Sequence, residues 1–275
     1  MPEVDDRYMV LSDGSRMPRL GLGVWKLTED GACETAVHAA LESGYRHFDT
    51  AQIYGNEASV GAALRASGLD RDEIFVTTKF DPSKSDPMEE LHGSLSRLRL
   101  EQVDLYLVHW PLESSRPAWT GMEKALEGGL TRSIGVSNFS LAELEELLEV
   151  ASVPPVVNQV QFNPFAYRRA LLDGCAERGV GLVAYSPLGM GGHLDDPTVA
   201  GIAERLDRRP AQILIRWALQ RRVAVIPKSG DPTRIRLNSE VFDFTLAHED
   251  LDALDALDAT GLTDRAREVK FWETL

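Results

Sequence analysis

Asp49, Lys79 and His109 stand 30 residues apart, one to the next, and each closes a short apolar run: Arg46–Asp49, Ile74–Lys79 and Val103–His109. Tyr54 follows Asp49 by five residues. Together the four types suit proton transfer. A phenol, with a reference pKa of about 10, exchanges protons poorly at neutral pH. An ammonium beside it should lower that value, and a carboxylate beside the Lys keeps the ammonium charged and aimed. A His can donate a hydrogen bond to a substrate oxygen or assist the transfer. The set therefore equips Tyr54 as a general acid towards a carbonyl oxygen. A protein has no hydride of its own, so reduction would need a nicotinamide cofactor. Taken singly, each residue has a structural reading: a core histidine, a solvated lysine, a capping aspartate, a packed tyrosine. The common interval joins them, because independent structural residues have no reason to share it. Lys79 as the Schiff-base nucleophile of a lyase or aldolase is a competing chemistry. His47 and Asp49, two apart on one strand, share a face as a metal pair could. A cation would want further ligands at other strand ends and would be poorly placed beside Lys79, so no metal is expected.

An interval of 30 is the size of one βα unit. Further strands are read at Arg19–Gly23, Ser133–Val136, Val156–Gln161, Gly181–Tyr185 and Val223–Pro227. Several are continuous apolar runs, as in parallel strands buried on both faces. Helical patterns lie between them: Ala32–Ser43 with a loose cap from Thr28, Glu57–Ala66, a helix from Ser85-Asp86-Pro87 to Leu98, Leu141–Val150 behind a capping box at Ser140, Tyr167–Arg178, Pro197–Leu206, Pro210–Arg221 and Glu249–Leu257. Strict alternation predicts a parallel α/β sheet. A (β/α)8 TIM barrel takes about 250 residues, which favours it over an open doubly wound sheet. Met9-Val10-Leu11 and Arg16-Met17-Pro18 around Gly14 read as a β-hairpin capping the barrel bottom. The expectation is one domain over 1–275, with an arm and hairpin at 1–18 and a tail at 263–275. Active sites of such barrels form at the C-terminal strand ends, where Asp49, Lys79 and His109 would meet.

The later strand ends carry neutral polar groups: Ser137-Asn138, Gln159, and Tyr185-Ser186. Ser, Asn and Gln suit a carboxamide, and Tyr offers a flat face for a heteroaromatic ring. Lys228, Ser229 and Arg234 form a small cationic group that suits a phosphate. No GxxxxGK[ST] occurs, and no GxGxxG follows a strand into a helix, so a P-loop and a Rossmann domain are excluded.

The 275 residues carry 29 Lys+Arg against 43 Asp+Glu, a formal charge of −14. Nucleic-acid and anionic-membrane partners are disfavoured by that sign. No run is long and apolar enough to span a bilayer, and the acidic N-terminus does not read as a signal peptide. Cys33 and Cys175 are far apart in the chain and form no metal motif, which fits a reducing cytoplasm. A closed barrel leaves no sheet edge to force association, so a monomer is expected.

These blocks resemble the aldo-keto reductase family, and are similar to its prokaryotic 2,5-diketo-gluconate reductase branch. The match runs from Gly21-Leu22-Gly23-Val24-Trp25-Lys26 to Val241-Phe242-Asp243-Phe244, through Gly44–Ala51, Tyr54-Gly55-Asn56-Glu57, His109-Trp110-Pro111, Ile134–Phe139 and Ile226–Ser229. The resemblance implies NADPH-dependent reduction of small aldehydes, dicarbonyls or keto-sugars. It makes Asp49, Tyr54, Lys79 and His109 a catalytic tetrad. Ser137, Asn138 and Gln159 would hold the nicotinamide carboxamide, with Tyr185 stacked beneath the ring. Ser186 and Leu188 would follow the pyrophosphate. Lys228, Ser229 and Arg234 would take the 2′-phosphate and Asn238 the adenine. Trp25 and Trp110 would wall the substrate pocket, with Phe80 nearby. The chain departs from the family pattern at Val160–Pro164, at Leu237, where an acidic residue often stands, and in the tail from Thr263. An NADPH-binding sensor or structural protein on the same barrel is the alternative. The complete tetrad argues against it.

Overall fold

The computed structural model describes residues 6–28, 31–111 and 115–259. The tail at 263–275 and the first five residues of the arm lie outside them. Strands β1 (Tyr8–Val10) and β2 (Arg16–Pro18) pair antiparallel, Met9 opposite Met17, with Gly14 at φ 86° in the connecting turn. Eight parallel strands follow: β3 (Gly21–Gly23), β4 (His47–Asp49), β5 (Phe75–Phe80), β6 (Val103–Val108), β7 (Thr131–Ser137), β8 (Val157–Gln161), β9 (Gly181–Tyr185) and β10 (Ala224–Val225). They lie in sequence order. A parallel bridge between Leu20 and Val225 joins the last strand to the first, and the Val225 N–H donates to Arg19 O at 2.7 Å. Gly23 sits at this seam, where a Cβ would come within 2.8 Å of Ile226 O. The result is a (β/α)8 barrel with a hairpin at its N-terminus.

The helices are α1 (Ala32–Glu42), α2 (Glu57–Ala66), α3 (Pro87–Leu98), α4 (Ser115–Glu127), α5 (Leu141–Leu148), α6 (Arg169–Glu177), α7 (Pro197–Arg205), α8 (Pro210–Gln220), α9 (Pro232–Ser239) and α10 (His248–Asp255). Asp-Pro opens three of them: Asp86, Asp196 and Asp231 accept backbone N–H bonds at the starts of α3, α7 and α9, where proline has no N–H to lose. α1 differs from expectation. It starts from Gly31 at φ 75° with no side-chain cap, so Thr28 does not cap it. Two helices, α4 and α9, escaped the sequence reading. α4 contains Pro117 and Gly121, which look like breakers. Pro117 falls in the first turn, and Gly121 admits α3, since a Cβ there would come within 2.7 Å of Pro87.

Two apolar layers result. Between strands and helices lies the larger one, built from residues such as Phe48, Phe80, Tyr106, Phe139, Phe162 and Trp217. Inside the barrel, Leu105, Leu107, Val157 and Val183 pack on Met9, Leu11 and Met17, so the hairpin plugs the bottom. His47 is part of this floor. Its Nδ1 stands 3.2 Å from Pro18 O and its Nε2 3.1 Å from Thr77 Oγ1. Gly21 makes room, since a Cβ there would lie 2.8 Å from the ring.

Burial keeps His47 neutral and pulls its pKa down to about 4. The unfolded chain binds that proton at about pH 6.5. Unfolding between pH 6.5 and 4 thus takes up a proton that the folded barrel refuses. The stability given by the neutral ring is complete above pH 6.5 and is lost as pH falls towards 4, about 3 kcal/mol in all. Tm measured through this window should fall with acid, and the slope should flatten in His47→Gln. Equal slopes in both proteins would remove His47 from the account.

Candidate active site

β4, β5 and β6 are neighbours in the barrel, so their C-terminal ends deliver Asp49, Lys79 and His109 side by side. β6 stops one residue short of His109, but the His109 N–H still donates to Phe80 O at 3.1 Å. Tyr54 ends a 3-10 turn, Gln52–Tyr54, above β4. Lys79 Nζ is the hub. It donates to Asp49 Oδ1 at 2.5 Å and to Thr50 O at 2.9 Å, and stands 3.4 Å from Tyr54 Oη. The Tyr54 and His109 rings meet edge to face at 5.7 Å, and Trp110 stacks on His109 at 5.5 Å.

The electrostatics depart from the expectation in one respect. The phenol is not pulled down by Lys79. Loss of water around Tyr54, and secondarily the Asp49 charge, push its pKa well above 10. Burial also lowers Lys79, against the pull of the Asp49 carboxylate. His109 is driven well below 6.5 by burial and then by the Lys79 charge. The site thus holds a protonated phenol and a neutral imidazole in front of one ion pair. His109 Nδ1 makes no hydrogen bond among the described residues, so no partner fixes the tautomer. Lys79 is fully buried behind Asp49 and is not on the wall of the neighbouring cavity, so it is not presented as a Schiff-base nucleophile.

Residues to which the sequence reading gave no role hold the Tyr54 loop. The Asn56 Nδ2 donates to Val24 O at 2.8 Å and Leu27 O at 3.2 Å, and its Oδ1 accepts from Thr50 at 2.8 Å. Asn56 thus clips the loop to the end of β4 and to the segment carrying Trp25. Gln52 ties it from the other side, donating to Glu90 O at 2.9 Å and accepting from the Asp81 N–H at 2.8 Å. Behind it, Glu57 accepts from Thr78 and Arg97, both at 2.6 Å. No spacing in the sequence marked these roles, because the partners lie far apart in the chain.

A cavity of about 1080 Å³ opens over the tetrad. Small-molecule pockets measure about 300–1,000 Å³, so this one has room for an extended molecule. Trp25, Trp110, Tyr54, His109 and Asp49 line it beside Ser137, Asn138, Gln159 and Tyr185. Ser186, Leu188, Lys228, Ser229, Arg234 and Asn238 line it as well. Phe80 does not. Strand side chains alternate, and with Lys79 turned to the barrel interior, Phe80 points outward into the helix layer. The reading also missed Arg209, Met190 and Leu194, which are on the wall. They lie in loop and helix-start segments with no strand-end spacing to betray them.

The wall would suit a dinucleotide, with neutral hydroxyl and amide side chains at one end and the cations Lys228 and Arg234 at the other. The Tyr185 hydroxyl donates to Asn138 Oδ1 at 2.8 Å, and Asn138 Nδ2 to His109 O at 3.0 Å. Asn138 and Ser186 hold φ of 67° and 47°, left-handed positions that cost energy and cluster at sites. Among the described residues, no three His, Cys, Asp or Glu side chains gather as a metal site, and no helix is long and apolar enough to cross a membrane.

A barrel whose C-terminal mouth joins a buried Lys–Asp pair to a Tyr, beside a long, mainly apolar cavity with polar groups set into its wall, defines an oxidoreductase of the aldo-keto type. The chain belongs to the aldo/keto reductase family, whose model matches residues 19–259. It is 47% identical over 256 residues to an aldo-keto reductase of Mycolicibacterium vanbaalenii, covering 91% of each chain. It is 43% identical over 251 residues to a glyoxal reductase of Bacillus subtilis, covering 90% of this chain and 91% of that one. The crystal structure of a Bombyx mori aldo-keto reductase in complex with NADP superposes with a TM-score of 0.90 at 32% identity, covering 97% and 96%.

Removing the Asn56 clip strands two buried carbonyls and a hydroxyl, at about 1–3 kcal/mol for each unmet group. Asn56→Ala should lower Tm by several degrees. Asn56→Asp should do worse, because a carboxylate would face the Val24 and Leu27 oxygens. Wild-type melting of the Asp variant would show that the clip is idle.

Proposed function

We propose that this chain reduces small aldehydes, dicarbonyls or keto-sugars with NADPH, Tyr54 giving the proton to the carbonyl oxygen. The observation that carries this is the buried Lys79 ammonium, bonded to Asp49 and 3.4 Å from the Tyr54 hydroxyl that lines the cavity. The glyoxal reductase of Bacillus subtilis supports the dicarbonyl class, and the NADP complex of the Bombyx mori relative supports the cofactor. When bound, the reduced nicotinamide supplies the hydride.

The chain's own residues do the remainder. His109, kept neutral, donates a hydrogen bond to the carbonyl oxygen and aims it at Tyr54. Tyr54, kept protonated, loses its proton only when that oxygen gains charge. Lys79 stabilises the phenolate left behind, and Asp49 holds Lys79 in place. Trp25 and Trp110 exclude water and press a small substrate into register. Ser137, Asn138, Gln159 and Tyr185 would hold the nicotinamide end of the cofactor. Ser186 and Leu188 would hold the pyrophosphate and Asn238 the adenine. Lys228, Ser229 and Arg234 would take the 2′-phosphate, which would select NADPH over NADH.

A general acid contributes about 10²–10⁴ in rate. NADPH consumption with methylglyoxal should therefore drop at least a hundredfold in kcat in Tyr54→Phe, with the affinity for NADPH kept. Full turnover in that variant would sink the mechanism. Cofactor choice has its own test. Arg234→Ala should raise the Kd for NADPH about tenfold or more, the worth of one charge-assisted contact, and leave NADH unchanged. An equal loss for both nucleotides would place the phosphate elsewhere.

A further inference from the structure

Asp49 has two oxygens, and the structure uses them for different things. Oδ1 takes Lys79 at 2.5 Å. Oδ2 takes the side-chain amide of Gln159 at 2.7 Å, a bond across 110 residues from β8 to β4. Both residues are about 2% exposed, so no water competes for the bond. The amide can face a carboxylate only with its NH2 group, since its carbonyl would repel the charge. Gln159 Oε1 is thereby turned away from Asp49, and the side chain forms part of the cavity wall. The rest of Gln159 is anchored too. Its backbone oxygen accepts from Ser137 Oγ and from the Asn138 N–H, both at 2.9 Å.

We infer that Asp49 is the positioning residue for Gln159: its second oxygen fixes the amide so that an acceptor, never a donor, meets the ligand. One carboxylate thus sets both ends of the reaction centre, the ammonium behind Tyr54 and the acceptor that reads an N–H on the cofactor ring. This rests on the nicotinamide reading of the cavity, whose carboxamide supplies such an N–H. Accepting at Oε1 also polarises the amide and strengthens its bond to Asp49, so the two contacts reinforce each other.

Asp49→Asn tests it, because the change reverses the hydrogen bonding at one oxygen. Lys79 offers only donors, so the oxygen of the introduced amide must face it and the introduced NH2 must face Gln159. Gln159 then flips to accept, and presents its own NH2 to the ligand. The readout is binding, by quenching of protein tryptophan fluorescence, of NADP and of its 3-acetylpyridine analogue, which keeps the carbonyl and lacks the NH2. The wild type should prefer NADP several-fold, up to about tenfold, the worth of one neutral hydrogen bond. Asp49→Asn and Gln159→Met should each lose that preference, and the double variant should lose nothing more. A merely structural role for Asp49 would weaken both nucleotides alike. Should Asp49→Asn fail to fold, Asp49→Ala/Lys79→Met removes both charges, leaves the amide unheld and should lose the preference in the same way. An Asp49 variant that keeps the wild-type preference overturns the inference. So does a Gln159→Met that keeps it. A wild type that binds neither nucleotide overturns the nicotinamide reading itself, and this inference with it.

Discussion

Lys79 and Asp49 are buried together, and each charge costs several kcal/mol to strip of water. Such a pair survives only where its remaining hydrogen-bonding capacity is met. Here Thr50 O and Tyr54 Oη meet Lys79, and Gln159 meets Asp49. Those partners come from the β4 end, the loop beyond it and β8 on the far wall. The barrel must close with these elements in register for the pair to be tolerable at all. That requirement explains the unusual number of ties on the Tyr54 loop. Were Asn56, Gln52 or Glu57 to let it drift, the ammonium would lose a partner while remaining dry.

The same dryness decides the protonation states around the pair. Tyr54 and His109 lie in front of it, and burial drives both to their neutral forms. A charged imidazole next to Lys79 would add a second buried cation with no counter-charge. A phenolate would put a second anion beside Asp49. On the proposed reading, Tyr54 would keep its proton until negative charge grows within reach. The gain comes from placing Lys79 where that phenolate would form, not from making the phenol acidic beforehand.

Much of this was legible in the sequence. The interval between Asp49, Lys79 and His109 is a property of the βα repeat, so it announced both the barrel and the convergence of the three. Gly14 marked the hairpin, Ser85-Asp86-Pro87 marked the start of α3, and the start read at Pro197 is that of α7. What failed did so for physical reasons. Pro117 and Gly121 look like breakers until a first turn and a close helix crossing give them places. The resemblance put Phe80 near the pocket, although alternation along β5 sends Lys79 and Phe80 to opposite faces. The Tyr54 proton affinity was misjudged because a nearby cation can be named from sequence, whereas the depth of burial depends on three separate elements. Gln159 was read by its chemistry toward a ligand, and its bond to Asp49 needed the closed barrel to appear.

Charge is the remaining tension. A chain with a formal charge of −14 would hold a polyanionic nucleotide against its own long-range field. At physiological ionic strength that field is screened beyond about 8 Å, so the protein as a whole neither repels nor steers the ligand strongly. What counts is the handful of groups within a screening length. Lys228, Arg234 and Arg209 all line the cavity and are exposed, and the Arg234 guanidinium is only loosely tied, 3.8 Å from Asp231. Exposed cations can reach a phosphate without a desolvation penalty like that of Lys79. The fold therefore keeps two kinds of cation apart. Lys79, beside Tyr54, is buried, fixed and paired, and the cations on the cavity wall are exposed and local. Leu237, where the family often has an acid, removes a negative charge from the latter neighbourhood and leaves it more cationic than the chain around it.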